Sequence, residues 1–174
     1  MKASWVLGAA AVAVLAAGCG GGSKPCLQGA GTGPVQQTAP ADTAYLTGVS
    51  LTRADCADRV TFTFAKNLPG YRVEYRRPDE ARTEDASGRH IPIAGNAFLV
   101  VRLADTQTAR ANADGSLTRT YTGPRRVSGR GSHHAQEAVK TGDFEAVVTW
   151  AVGLDGKRPF AVSRSGRSLV VDVG

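Results

Sequence analysis

The stretch GDFEAVVTWAVGL at residues 142–154 decides the fold, because its apolar side chains recur at every second position. The stripe consists of Ala146, Val148, Trp150, Val152 and Leu154. A period of two is typical of a β-strand that has one face in a core. Asp155-Gly156 follows the stripe, and PFAVS at 159–163 returns as a second run. An Asp-Gly pair between two such runs predicts a tight hairpin.

The same alternation appears upstream in three segments that we expect to be antiparallel strands with one face in water. They are Tyr45–Arg53, Asp58–Phe64 and Tyr71–Tyr75. AFLVVRL at 97–103 is apolar on both faces, which predicts a central strand, and a Ser165-Gly166 turn precedes a last strand. No segment has apolar residues at helical spacing over about ten residues or more. The sequence therefore predicts a single all-β domain, an antiparallel β-sandwich.

Residues 104–135 do not fit this pattern, because they contain few apolar side chains and two turn signals, Asp114-Gly115 and Thr122-Gly123-Pro124. The cationic residues of this segment are Arg110, Arg119, Arg125, Arg126 and Arg130, and it ends near His133-His134. Loops of this length in compact domains are usually functional or mobile. We therefore predict a long basic loop that is functional or mobile.

The N-terminal residues MKASWVLGAAAVAVLAAGC have the features of an export signal: a charge at Lys2, a short apolar run and small residues before Cys19. The cysteine after Leu15-Ala16-Ala17-Gly18 resembles the lipobox of bacterial lipoproteins. That resemblance implies a lipoprotein signal peptide at 1–18, cleavage after Gly18, and diacylglycerol on the Cys19 sulfur with a further acyl chain such as palmitate on its amine. The alternative is an ordinary cleaved signal that happens to precede a cysteine.

Residues 19–44 are rich in Gly, Pro and Thr, which predicts a lipidated flexible tether ahead of a domain at 45–174. Lipidation of Cys19 leaves Cys26 and Cys56, an even pair that favours a disulfide in an oxidising compartment. Two free thiols are the alternative. If the pair forms, only Gly20–Pro25 stays flexible, because the rest of the tether is looped back onto the sandwich.

Composition narrows the function. The net charge is +6, so outside the cytoplasm we expect attraction to anionic wall polymers and lipid head groups. Nucleic acid is not an expected partner, because the export signal predicts an extracytoplasmic location and the sequence has no pattern of alternating aromatic and basic residues. H-E-x-x-H, G-x-S-x-G and C-x-x-C motifs are absent from the sequence. We therefore expect no catalytic residues, no metal and no cofactor, and hence no enzyme activity.

Several blocks of the chain together resemble the AMIN-like domain of actinobacterial lipoproteins. They are DRVTFTF (58–64), PGYRVEY (69–75), DASGRHIPIAG (85–95), GDFEAVVTWAVGL (142–154), PFAV (159–162) and LVVDV (169–173). The resemblance implies a β-sandwich at the extracytoplasmic side of the cell membrane, with peptidoglycan binding as an analogy, since a fold does not determine a function.

From these observations we expect a non-catalytic, lipid-anchored envelope module that binds peptidoglycan or another anionic wall polymer. The expected contact residues are Arg59, Arg72, Arg76, Arg125 and Arg126. Tyr71 and Tyr75, on the other side of their strand, would instead offer rings for sugar stacking if that side were exposed. The alternative function is a scaffold that recruits another envelope protein through an exposed edge strand.

Overall fold

The computed structural model describes residues 27–38 and 42–174, which form thirteen strands and one short helix. The strands are β1 (Val35–Gln37), β2 (Ala44–Ala54), β3 (Ala57–Phe64), β4 (Gly70–Arg76), β5 (Ala97–Ala104), β6 (Thr106–Gln107), β7 (Ala109–Ala111), β8 (Leu117–Arg119), β9 (Arg126–Ser128), β10 (Ala135–Phe144), β11 (Val147–Leu154), β12 (Phe160–Ser165) and β13 (Ser168–Val173). The helix is α1 (Pro78–Ala81). In these residues no helix combines the length and apolar character that crossing a bilayer requires.

Two sheets pack face to face around one core. The first contains six strands in the order β1-β4-β5-β11-β10-β9, and the second contains five in the order β12-β13-β3-β2-β6. Phe62 of the second sheet meets Trp150 of the first edge to face, with 6.1 Å between ring centroids. The predicted all-β sandwich is therefore confirmed, and the period-two segments around residues 45–75 form strands β2, β3 and β4.

Strand β5 is central, as its double-sided apolar pattern predicts, because β4 and β11 pair with its two edges. Its inward residues Leu99, Val101 and Leu103 lie in the main core. On its outward side Phe98 and Val100 belong to a second apolar cluster, formed with residues of the β4–β5 connection at 77–96. We call this connection the cover segment, because it covers part of the outer face of the six-stranded sheet.

The predicted hairpin at Asp155-Gly156 is wrong. Strand β11 pairs with β5 and β10, so neither of its edges is open to the returning run. The connection after residue 154 therefore crosses to the other sheet, where β12 pairs with β13. Ala146 also leaves the apolar stripe: it lies with Glu145 in the β10–β11 turn, and both residues have positive φ, at 57° and 49°.

Part of the predicted tether belongs to the sandwich. β1 pairs with β4 at the edge of the six-stranded sheet, and Gly31 exchanges two backbone hydrogen bonds with Phe160 of the other sheet (3.1 and 2.8 Å). The flexible-tether prediction is therefore corrected for these residues. Pairing of this kind uses backbone groups, which a Gly-, Pro- and Thr-rich composition does not reveal. The signal peptide, Cys19 and Cys26 lie outside the described residues.

The segment at 104–135 is built of short strands. β7 and β8 form a hairpin around Asp114-Gly115, and β9 adds an edge strand to β10. The end of the segment is fixed by Asp58, which is fully buried and accepts hydrogen bonds from the backbone N–H groups of His133, His134 and Ala135 at 2.7, 2.6 and 2.7 Å. The prediction of an irregular loop is therefore replaced by an ordered margin of the sandwich.

Candidate binding groove

A groove lies on the part of the six-stranded sheet that the cover segment leaves open. Its floor is a row of residues aligned across the strands, in which Arg102 of β5 is opposite Arg72 of β4 on one side and Thr149 of β11 on the other. Arg102 borders both of its compartments, one of about 680 Å³ and one of about 210 Å³. We call this feature the outer-face groove.

The pattern of β5 explains why the groove begins at Arg102. The outward residues of this strand are apolar at Phe98 and Val100, where the cover segment packs, and Arg102 is the next outward position. Arg102 is exposed. A single charged residue in an otherwise apolar strand therefore marks where the cover ends and the accessible floor begins.

Asp85 closes the smaller compartment. Its Oδ2 accepts a hydrogen bond from the hydroxyl of Thr149 at 2.7 Å, and its backbone N–H donates to the carbonyl of Thr141 at 2.9 Å. A Cβ at Gly142 would overlap the Asp85 carboxylate, so a glycine is required for the cover segment to approach the sheet this closely. The wall of the groove is therefore built on side-chain and backbone contacts to two neighbouring strands.

Arg72 and Arg76 are held by carboxylates beside the groove. Arg72 contacts Glu74 and Gln36, each at 2.6 Å, and Arg76 contacts Glu74 at 2.6 Å and Glu80 at 3.7 Å. The hydrogen bond from Arg72 lowers the pKa of the Glu74 carboxyl, although burial opposes this change. Both guanidinium groups are thus positioned beside the groove, with their charge largely neutralised.

Two charged residues of the groove differ from these. Among the described residues, neither the Arg102 guanidinium nor the Asp105 carboxylate has an ion-pair or hydrogen-bond partner. Both are exposed, and both line the larger compartment. The guanidinium group of Arg102 and the carboxylate of Asp105 are therefore both available to a ligand.

The five arginines expected to bind do not form one surface. Arg59 lies on the outer face of the other sheet, where it makes a two-pronged contact with Asp172 at 2.7 and 2.9 Å. Arg125 and Arg126 lie at the β9 edge and pair with Glu84 and Glu137. Arg126 also donates to the carbonyl of Pro92 at 2.8 Å, so these two arginines hold the cover segment against the sheet.

Lowering the pH should loosen this attachment. Glu84 accepts hydrogen bonds from Ser87, Arg125 and Arg89, and these interactions lower the pKa of its carboxyl from 4.5 to about 2. Because this pKa is depressed in the folded state, the stabilisation is present above about pH 4.5 and is lost as the pH falls toward 2. Carboxyl NMR titration should give an apparent pKa near 2 for Glu84, rising in Arg125→Gln. An unchanged pKa in the variant would contradict this role for Arg125.

The two tyrosines do not provide the sugar-stacking surface considered from the sequence, and the two histidines contact different partners. Tyr71 is buried in the main core, and Tyr75 packs edge to face on Phe160 at 5.9 Å, so their rings do not face a sugar-binding surface. His133 accepts a hydrogen bond from Arg53 at 2.8 Å, and His134 contacts Asp155 instead. Within 27–38 and 42–174, no group of three His, Cys, Asp or Glu side chains is placed to hold a metal ion.

Comparison with known proteins identifies one similarity. The family model of the AMIN-like domain matches residues 44–174, which include the whole outer-face groove except its β1 margin. No curated protein and no solved structure shows significant similarity to the chain.

Proposed function

Because the chain belongs to the AMIN-like domain family, we propose that it is a non-catalytic module of the cell envelope that binds peptidoglycan or another anionic wall polymer. The observation that supports this proposal most is Arg102, whose guanidinium group lies in the outer-face groove without a partner among the described residues. It lies on an open sheet face, where an extended polymer has access. A guanidinium group with free donors is suited to carboxylates and phosphates.

The location of the other arginines restricts the contact surface. A polymer strand lying along the outer-face groove passes Arg72 and Arg102 and reaches Arg76 at the border of the smaller compartment. Arg59, on the opposite sheet, is not reached by the same strand. In this proposal Arg125 and Arg126 act indirectly, by holding the cover segment that walls the groove.

Retention on purified wall sacculi should depend on salt and on the groove. We expect the full chain, purified in detergent, to sediment with sacculi at about 0.01 M salt and to be released towards about 1 M, because screening shortens the range of the charges. Arg102→Gln should weaken retention, whereas the matched control Arg59→Gln should not. Absence of retention of the unaltered chain at low salt would contradict the proposed function.

We further propose that Cys19 carries the lipid anchor and that Cys26 and Cys56 form a disulfide. Support for the disulfide comes from a row of paired residues that runs from Gly31 through Phe160 and Val173 to Asp58. At about 4.8 Å per strand this row spans about 14 Å, and an extended chain from Cys26 to Gly31 reaches about 17 Å. Cys26 is therefore within reach of the exposed β2–β3 turn that contains Cys56.

Alkylation of the exported protein tests the disulfide. We expect neither cysteine of the pair to be modified by iodoacetamide unless a reductant is added, and peptide mass spectrometry then to show label on both. The loop that the bridge closes contains about 30 residues, so reduction should lower stability by roughly 3–4 kcal/mol. Modification of both thiols in unreduced protein would contradict the pairing.

A protein-interaction role is the second candidate, and one observation favours it. Leu117 and Phe144 are the large apolar side chains most exposed in the described part of the chain, at 72% and 54%. The hydroxyl of Thr108 donates a hydrogen bond to the carboxylate of Asp143 at 2.7 Å, which places the β7–β8 hairpin beside the β10–β11 turn. This is the end of the sandwich opposite to the one where Gly31 pairs with Phe160. In-membrane crosslinking that yields one protein partner after lysozyme digestion, and is lost in Leu117→Ser, would favour this role over polymer binding.

A further inference from the structure

We propose that the outer-face groove recognises the peptide part of the wall polymer, with Arg102 binding a peptide carboxylate and Asp105 binding an ammonium group. This inference rests on the proposed function and names the ligand class of the same site. Peptides that carry both charges differ chemically from glycan strands, which offer mainly hydroxyl and amide groups, and from polyphosphates, which are uniformly anionic.

Arg102 is the stronger of the two determinants. It is directly opposite Arg72 in the antiparallel pairing of β4 and β5, and like charges at opposed positions repel. Glu74 and Gln36 engage Arg72, whereas no described residue engages Arg102. A carboxylate bound at Arg102 removes this imbalance and uses the planar fork of the guanidinium for two parallel hydrogen bonds.

Asp105 is held in place by its backbone. Its φ is 50°, a left-handed conformation that Asp adopts more readily than most residues. Its carbonyl accepts a hydrogen bond from the N–H of Ala44 at 2.8 Å, and the next residue, Thr106, donates to Ala146 at 2.8 Å. The carboxylate therefore projects from a fixed turn at the border of the larger compartment, without a described partner to neutralise it.

The spacing and size suit a short peptide. At about 3.3 Å per residue, the Cα atoms of Arg102 and Asp105 are at most about 10 Å apart. Ligand sites of about 300–1,000 Å³ accommodate small molecules, and the larger compartment has about 680 Å³. An ammonium and a carboxylate separated by two or three peptide units can therefore reach both groups at once.

The surroundings disfavour the other two ligand classes. Among the described residues that line the groove, the one aromatic ring is that of Tyr71, which is 8% exposed and packed in the core, so no ring face is available for a sugar. Asp85 and Asp105 border the two compartments, and no described cation pairs with either carboxylate. Their negative charges repel a polyphosphate but leave room for a ligand of mixed charge.

The test uses the full chain in detergent and the synthetic tetrapeptide alanyl-γ-glutamyl-lysyl-alanine, measured by isothermal titration calorimetry. Four further probes are the same peptide with its carboxylates amidated, the same peptide with its amines acetylated, a chitin tetrasaccharide and a glycerol-phosphate oligomer. We expect the unmodified peptide to bind at least tenfold more tightly than any of the other four. Equal or tighter binding of the tetrasaccharide or of the phosphate oligomer would overturn the inference.

Two variants test which charged group of the peptide each residue binds. Arg102→Gln should weaken peptide binding about tenfold and abolish the effect of amidation, whereas Asp105→Asn should abolish the effect of acetylation. Arg59→Gln is the matched control and should bind normally. Chains that are retained on sacculi but do not distinguish the probes would overturn this inference and leave the proposed function intact. If the chain binds the peptide but is not retained on sacculi, the inference about the ligand stands and the proposed function is overturned.

Discussion

Asp58→Ala is expected to destabilise the domain by about 4 kcal/mol, because it removes the acceptor of three backbone N–H groups at once. Each buried donor left without a partner costs about 1–3 kcal/mol, and relief of the buried carboxylate offsets part of that sum. The N–H of Ala135 is itself buried, so water does not readily replace the carboxylate there. The start of β10 should therefore detach together with the residues before it.

Thermal unfolding measures this effect. A loss of about 4 kcal/mol corresponds to a fall of about 15 °C in Tm for a domain of this size. Asp114→Ala is the matched control, since Asp114 is exposed and bonds only within its own turn, to Ser116. The control should change stability by less than about 1 kcal/mol. Equal changes in the two variants would show that Asp58 does not anchor this margin of the sandwich.

Trp150→Ala is expected to cost about 3–5 kcal/mol, the range measured when large aromatic side chains are removed from cores. Trp150 is fully buried and meets two rings edge to face, Phe62 at 6.1 Å and Tyr121 at 5.9 Å. These contacts join both sheets and the segment between β8 and β9. The cavity therefore opens where three parts of the structure meet, which leaves little scope for collapse.

Urea unfolding followed by far-ultraviolet circular dichroism measures this loss of stability. The midpoint urea concentration should fall, whereas the dependence of the unfolding free energy on urea concentration should not change. Leu117→Ala provides the control, because this side chain is 72% exposed and its truncation should change stability by about 0.5 kcal/mol or less. If the free energy of unfolding of Trp150→Ala lies within about 1 kcal/mol of that of the parent, the core at this position is not close-packed.

The strands were predictable because burial of one sheet face imposes a period of two that survives in the sequence. Strand β5 shows the principle most clearly, since apolar residues on both faces required cover on both sides, and the cover segment supplies the outer one. The position of Asp155-Gly156 shows its limit. A turn signal is local, whereas the choice between a hairpin and a crossover depends on whether the preceding strand still has a free edge.

The candidate site was less predictable than the fold. Alternation correctly placed Arg59 and Arg72 away from the core, but nothing local indicated that Asp172 and Glu74 would engage them. Ion pairs of this kind form between strands that are brought together by the tertiary structure. Arg102 was missed because it was treated as part of a central apolar strand, although its charge at an outward position was the available signal.

The edge contacts of the N-terminal segment have a consequence for the order of folding. β1 pairs with β4, and Gly31 pairs with Phe160. β3 lies between β2 and β13. Residues near the start of the described chain can therefore pair fully only after residues 160–173 are available. Contacts this distant in sequence slow folding, because loop closure precedes the gain from pairing. A chain still emerging from the ribosome exposes the open edge of β3 until the six residues of β13 have been synthesised. The five-stranded sheet is therefore completed late in synthesis, and its unpaired edge is exposed to proteases and chaperones until then.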